Sequence, residues 1–132
     1  MSIVDKLKEK YKVELAEAEK DLNTNYRGGR RKTPEKIDAN TYLMAKWKNK
    51  IAKGHYGFDL AEIPFVYVKI LDEFNSWVNT QCPDFQIAQQ KIKYGFLRCY
   101  VDLNSDDEKI CEKVSKEIDK LEQLIGHKNL IY

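Results

Sequence analysis

Cysteine and histidine are scarce in this chain and long apolar runs are missing, and each shortage removes a class of protein. The 132 residues hold three cysteines, Cys82, Cys99 and Cys111, odd in number and far apart. A secreted disulfide framework uses an even set in a loop-rich chain, so free thiols in a reducing cytoplasm are expected. The two histidines, His55 and His127, come without any Cys-x-x-Cys, which is too few nitrogen and sulfur ligands for a closed zinc site. No stretch approaches the apolar length needed to span a bilayer, so no membrane partner is expected. The N-terminus, Met1-Ser2-Ile3-Val4-Asp5-Lys6, runs at once into a charged amphipathic pattern, unlike a signal peptide. Gly-x-Ser-x-Gly, a Walker loop and GxGxxG are absent. No metal, no cofactor and no catalytic residue is predicted, because no nucleophile–base pair is in view.

What is there suits one domain spanning residues 1–132. Eight Tyr, five Phe and two Trp supply large side chains worth burying, which argues against wholesale disorder. Lys and Arg number 23 against 21 Asp and Glu, a net charge of +2, so the chain is neither a histone-like polycation nor an acidic DNA mimic. The distribution is uneven, however. Between Tyr26 and Lys53 nine Lys and Arg face only Glu35 and Asp38, a net +7 that leaves −5 for the remainder. A molecule with that polarity docks an anionic partner through one end only.

Apolar periodicity predicts four helices and one hairpin. Val4, Leu7, Tyr11, Leu15, Ala18 and Leu22 line one face of a first helix over 3–23. Asn23 to Lys32 breaks the pattern with a glycine pair and four cations, Arg27, Arg30, Arg31 and Lys32, which reads as a mobile basic loop over 25–33. Thr33-Pro34 offers an N-cap and a first-turn proline for a second helix from about Pro34 to Lys53, so that 1–54 is helical around the basic loop. His55 to Leu60 is a turn or short extended piece. Pro64 opens a third helix carrying Tyr67, Ile70, Leu71, Phe74, Trp77 and Val78 on one side, ending at Cys82-Pro83. The period then changes from 3.6 to 2. Phe85–Lys93 and Phe96–Leu103 form strands joined by a Tyr94-Gly95 turn. Ser105-Asp106-Asp107-Glu108 reads as a capping box before a last helix with Ile110, Val114, Ile118, Leu121 and Ile125 in one stripe. Residues 64–126 are thus a helix–hairpin–helix unit, and the fold class is α+β, predominantly helical. A lone hairpin is marginal in water, so a third strand is needed from Tyr56–Leu60, from the tail Asn129–Tyr132 or from a second copy of the chain.

With that turn, Lys93 faces Phe96, Lys91 faces Arg98 and Gln89 faces Tyr100. One face then carries Gln89, Lys91, Lys93, Phe96, Arg98 and Tyr100, and the other Ala88, Gln90, Ile92, Leu97, Cys99 and Val101. Like charges directly opposite, as at Lys91 and Arg98, cost stability unless an anion lies between them. A helix carboxylate such as Asp106 or Glu112 can serve, and so can a phosphate.

The run Pro83 to Asp102 resembles a motif in small phage and prophage proteins, Gln-x-Lys-x-Lys-aromatic-Gly-x-Leu-Arg-aromatic-Tyr. Gln89, Lys91, Lys93, Tyr94, Gly95, Leu97, Arg98 and Tyr100 match it, and Cys99 stands where those proteins have an aromatic residue. The likeness covers about residues 64–125; the basic first half has no counterpart, and the Cys-rich tail of many relatives is missing here. It implies a phage or mobile-element origin, hence the cytoplasm of a bacterial host, and no particular activity.

Each candidate also has a plain structural reading. The hairpin face can be an ordinary solvated sheet face, and the loop of Arg27 to Lys32 a simple connector. Trp47 and Trp77 read as core, His55 as a surface turn residue, Asp106 to Glu108 as charge suited to a helix N-terminus, and Cys99 and Cys111 as small buried hydrophobes. Three functions remain open. The first is a non-enzymatic accessory protein that binds and inhibits a bacterial host factor, such as a nucleic-acid-binding defence complex of the CRISPR kind. Its basic segment 27–53 and hairpin face would occupy a site meant for nucleic acid. The second is direct nucleic-acid binding by the same residues. The third is capture of a small phosphorylated nucleotide between the hairpin faces of a homodimer.

Overall fold

The computed structural model describes residues 2–32 and 38–131. Among these residues five helices and two small sheets give the α+β class predicted from the sequence. The fifth helix arises because the predicted first one is two: α1 (Ile3–Lys10) and α2 (Lys12–Asn25) meet at Tyr11, whose φ of −105° and ψ of 20° leave the helical range. Tyr11 is held from outside the helix. Its hydroxyl donates to Glu73, and the Lys69 ammonium lies 5.2 Å from its ring centre. The start of α1 is fixed by a distant carboxylate, for buried Glu117 accepts from the Val4 amide at 3.1 Å and from the Ser2 hydroxyl.

The predicted mobile loop is instead a tight hairpin of β1 (Tyr26–Arg27) and β2 (Arg30–Arg31). Gly28 and Gly29 both take positive φ, 59° and 82°, the geometry of a two-residue turn whose twist suits paired strands. The predicted cap at Thr33-Pro34 lies outside the described residues. Helix α3 (Ala39–Trp47) is capped by Asp38, which accepts from the Asn40 amide at 2.9 Å. It stops short of the predicted Lys53 after one 3-10 turn, Lys48–Lys50, because Ile51 turns extended to bridge Ile87 and the Ala52 amide donates to the Ile87 carbonyl at 2.8 Å.

Helix α4 (Phe65–Gln81) is the centre of the molecule. It buries Val66, Val68, Ile70, Leu71, Phe74 and Val78, too many for one stripe, since it meets α1, α2, α3 and α5 as well as the sheet. Its buried Asp72 accepts from the Trp47 indole at 2.8 Å and pairs with Lys46, which locks α3 in place. The main sheet has the order β3 (Gly57–Asp59), β4 (Gln86–Lys93), β5 (Phe96–Asp102). Of the three predicted sources for a third strand, the segment within Tyr56–Leu60 supplies it, parallel to β4 with α4 as the crossover. Helix α5 (Glu108–Leu124) begins later than the predicted capping box: Asp107 is the cap, accepting from the Lys109 and Ile110 amides, while Ser105 accepts from Asp107.

The joint of α1 and α2 carries a pH dependence. Burial opposes ionisation of Glu73, but hydrogen bonds from Lys10 and Tyr11 outweigh it and hold the carboxyl below the ordinary glutamate value. A depressed folded value stabilises the native state above the unfolded value and loses that contribution as pH falls through the folded one. Thermal unfolding between about pH 5 and pH 3 should therefore show a falling midpoint, and Glu73→Gln should remove part of that slope.

Candidate functional site

The β4–β5 register is the predicted one: Gln89 opposite Tyr100, Lys91 opposite Arg98, Lys93 opposite Phe96. The chain turns through Tyr94 and Gly95. The buried face differs at one end, where a bulge between Ile87 and Gln89 sends Ile87 inward in place of the predicted Ala88. Gln90, Ile92, Leu97 and Cys99 are buried as the alternation requires. The core-facing Gln90 exchanges both amide hydrogen bonds with Asn75 of α4, at 2.8 and 3.0 Å. Helix α5 closes the outer edge of β5, since the Leu97 amide donates to the Ile125 carbonyl and the Cys99 amide to the Glu122 carboxylate.

The opposite face stays open. Lys93, Phe96 and Tyr100 are exposed, with Phe96 and Tyr100 at 46% and 48%, and Gln89, Lys91 and Arg98 are half-buried. Among the described residues no carboxylate lies within ion-pair distance of Lys91, Lys93 or Arg98. Neither Asp106 nor Glu112 reaches them; Glu112 pairs with Lys116 on its own helix at 3.3 Å. What the cations do face is aromatic. The Lys91 ammonium lies 5.8 Å from the centre of the Tyr100 ring, and that of Lys93 lies 5.5 Å from Tyr94. The third strand adds a residue the sequence did not single out: Asp59 sits beside Lys91 in the parallel register and is the one carboxylate of the face's described strands between Gln89 and Tyr100. Only the pairing of β3 reveals it.

The turn itself is strained. Gly95 at φ 86° has the space of a glycine only, because a Cβ there would meet the His127 carbonyl at 2.7 Å. Tyr94 has no such excuse. A bulky side chain at φ 54° pays the cost that left-handed backbone imposes on L-residues, and its ring is 69% exposed, so burial does not compensate. Tyr94→Asn should raise stability by about 1 kcal/mol, seen as a higher urea midpoint at unchanged slope. The same change should weaken binding at this face if the ring is held out for contact.

The basic hairpin is tied to the same end of the sheet by the C-terminal tail. The His127 amide donates to the Gly95 carbonyl at 2.8 Å, and two residues on the Asn129 carbonyl accepts from the Gly29 amide at 2.7 Å. Residues Gly126–Leu130 thus join two turns that lie far apart in sequence. The four predicted cations of this hairpin divide. Arg31 turns inward to Asp21, 3.2 Å from its carboxylate, and belongs to the scaffold. Arg27 and Arg30 are exposed and stand directly opposite each other, and Lys32 is exposed beyond them.

Among the described residues no group of three or more His, Cys, Asp or Glu is placed to hold a metal ion, and no helix is long and apolar enough to cross a membrane. A groove of about 370 Å³ beside α1, α2 and α4 is lined by Lys8, Glu19, Tyr67 and His127, whose charges are mixed. Burial, only partly offset by the Gln90 amide, pushes the Cys99 thiol up to about 12, and burial also raises Cys82. Alkylation of the folded chain at about pH 8 should therefore label Cys111 alone, with Cys82 and Cys99 reacting only after denaturation. No family model, curated protein or solved structure matches this chain.

Proposed function

We propose that this chain is a phage or mobile-element accessory protein that acts by binding, not catalysis, and that its open sheet face takes up single-stranded nucleic acid. The observation that supports this most is the pairing of cations that form no ion pair among the described residues with exposed rings on that face: Lys91 opposite Arg98, with Tyr100 and Phe96 on either side along β5. A single strand presents phosphates and unstacked bases together, and a sheet carrying both cations and aromatic rings answers both.

Charge sign separates this from the inhibitor reading. A host site built for nucleic acid is itself basic, so a basic face gains nothing by entering it. The host-factor reading holds only for an acidic partner surface. The exposed rings at Tyr94, Phe96 and Tyr100 keep that second reading in view, because aromatic residues and arginine are enriched where proteins meet.

Fluorescence anisotropy with labelled oligothymidylate and oligouridylate, titrated between about 50 and 500 mM salt, is the direct test. A log affinity that falls linearly with log salt supports the reading. No binding at the lowest salt, or an affinity flat across the range, overturns it. A nuclease-resistant acidic protein recovered in stoichiometric amount would then carry the second reading.

A further inference from the structure

Resting on the nucleic-acid reading, we infer that the binding track does not end at the Tyr94-Gly95 turn but continues over the C-terminal tail onto the basic hairpin, so that one strand contacts both. Three observations converge on this.

Both hairpins carry the same device. Each has a two-residue turn with positive φ at both positions, Gly28-Gly29 and Tyr94-Gly95, and each sets a pair of cations in direct cross-strand register, Arg27 with Arg30 and Lys91 with Arg98. Directly opposed like charges destabilise a strand pair. None of these four side chains forms an ion pair among the described residues, although Asp59 neighbours Lys91 in register and the adjacent Arg31 is paired with Asp21. One such pair is an accident of a solvated surface; two at connected sites call for a shared anion.

The connection is physical. The segment His127–Asn129 is hydrogen-bonded at one end to Gly95 and at the other to Gly29, so the turns sit on either side of a stretch three residues long. That stretch adds exposed Lys128 between them. The hairpin is also braced from its far side, where the Glu62 amide donates to the Gly29 carbonyl and the Glu62 carboxylate accepts from the Arg31 amide at 2.7 Å. A cation pair on a braced turn is already placed for a ligand, which spares the ordering cost a mobile arm would incur.

Length follows from strand geometry. Successive rows on one sheet face are about 6.8 Å apart, so the three rows from Gln89/Tyr100 to Lys93/Phe96 accommodate about three nucleotides of an extended strand. Contact with Arg27, Lys128 and Arg30 requires further nucleotides beyond the turn.

Labelled oligothymidylates of three and ten residues, bound by the intact chain and by an Arg27→Gln/Arg30→Gln variant, read this out. The variant should leave the affinity for the three-residue oligomer unchanged, lower that for the ten-residue oligomer at least about tenfold, and reduce the latter's salt slope by about 1.4. Lys128→Gln, on a different element, should reproduce the length-selective loss with a slope change of about 0.7. Equal losses for both lengths, or none for either, overturn the extended track while the sheet-face reading stands. Failure of both oligomers to bind the unaltered chain overturns that reading and the track with it. Since the variants remove like-charge repulsion, their melting temperatures should not fall, and a fall would attribute the loss to folding and overturn the track.

Discussion

Reversing the charge at Lys91 and Arg98 together is expected to lower affinity for a single strand by about a hundredfold at a small cost in stability. Hydrogen bonds to charged groups contribute about 1.5–3 kcal/mol each, and exposed ones lie at the low end. Two lost contacts at about 1.5 kcal/mol give about 3 kcal/mol, and each 1.4 kcal/mol is a factor of ten. The cost should stay within about 1 kcal/mol, because the double change K91E/R98E exchanges a pair of opposed cations for a pair of opposed carboxylates and sets one of them beside Asp59. The single change Arg98→Glu is more telling. It sets a carboxylate opposite Lys91 and away from Asp59, turning repulsion into attraction, and should stabilise the hairpin by about 0.2–1 kcal/mol while still weakening binding. A surface kept only for solubility has no reason to trade in that direction. If Arg98→Glu raises the melting temperature and leaves oligonucleotide affinity untouched, Arg98 belongs to a solvated sheet face and the proposed function loses its main support.

How far the sequence reaches depends on whether a feature is local. The hairpin was legible because alternation and the Tyr94-Gly95 turn fix register within 20 residues, and every predicted pairing from Gln89–Tyr100 to Lys93–Phe96 is present. Helix α4 was legible for the same reason. Features set from a distance were not. The break at Tyr11 answers to Glu73, the early end of α3 to Ile87, and the start of α1 to Glu117, residues more than 30 positions away in each case. The basic segment was misjudged as mobile because four neighbouring cations suggest repulsion. Tyr26 is buried, Arg31 is neutralised by Asp21 of the preceding helix and Gly29 is bonded to the distant Asn129, and charge repulsion alone shows none of this. The candidate site divides along the same line. Lys91, Arg98 and Tyr100 could be placed on one face by counting alone, whereas Asp59, and the approach of Arg27 and Arg30 to the sheet, needed the topology.

The face owes its assembly to what lies beneath it, and that can be tested at the Asn75–Gln90 pair. Both side chains are buried, at 1% and 0% exposure, and each amide satisfies the other. A one-residue slip of β4 would turn Lys91 inward and bury Gln89 or Lys91 against Asn75, so the pair opposes the slip that would dismantle the site. Gln90→Met keeps the length of the side chain and leaves the Asn75 amide buried without its partner, at a cost of about 2 kcal/mol. For a domain of this size that lowers the melting temperature by about 8 °C. Asn75→Leu should cost about as much. Replacing both removes both unsatisfied amides, so the double variant should melt close to the unaltered chain, with a coupling of about 4 kcal/mol in the double-mutant cycle. Oligonucleotide affinity should persist in it, because Ile87, Ile92 and Leu97 still commit β4 and β5 to one inward face. Additive losses in the cycle would mean that each amide acts through packing alone. A double variant that melts normally but no longer binds would show that the buried amides, more than the apolar alternation, hold Lys91 and Arg98 on the open side.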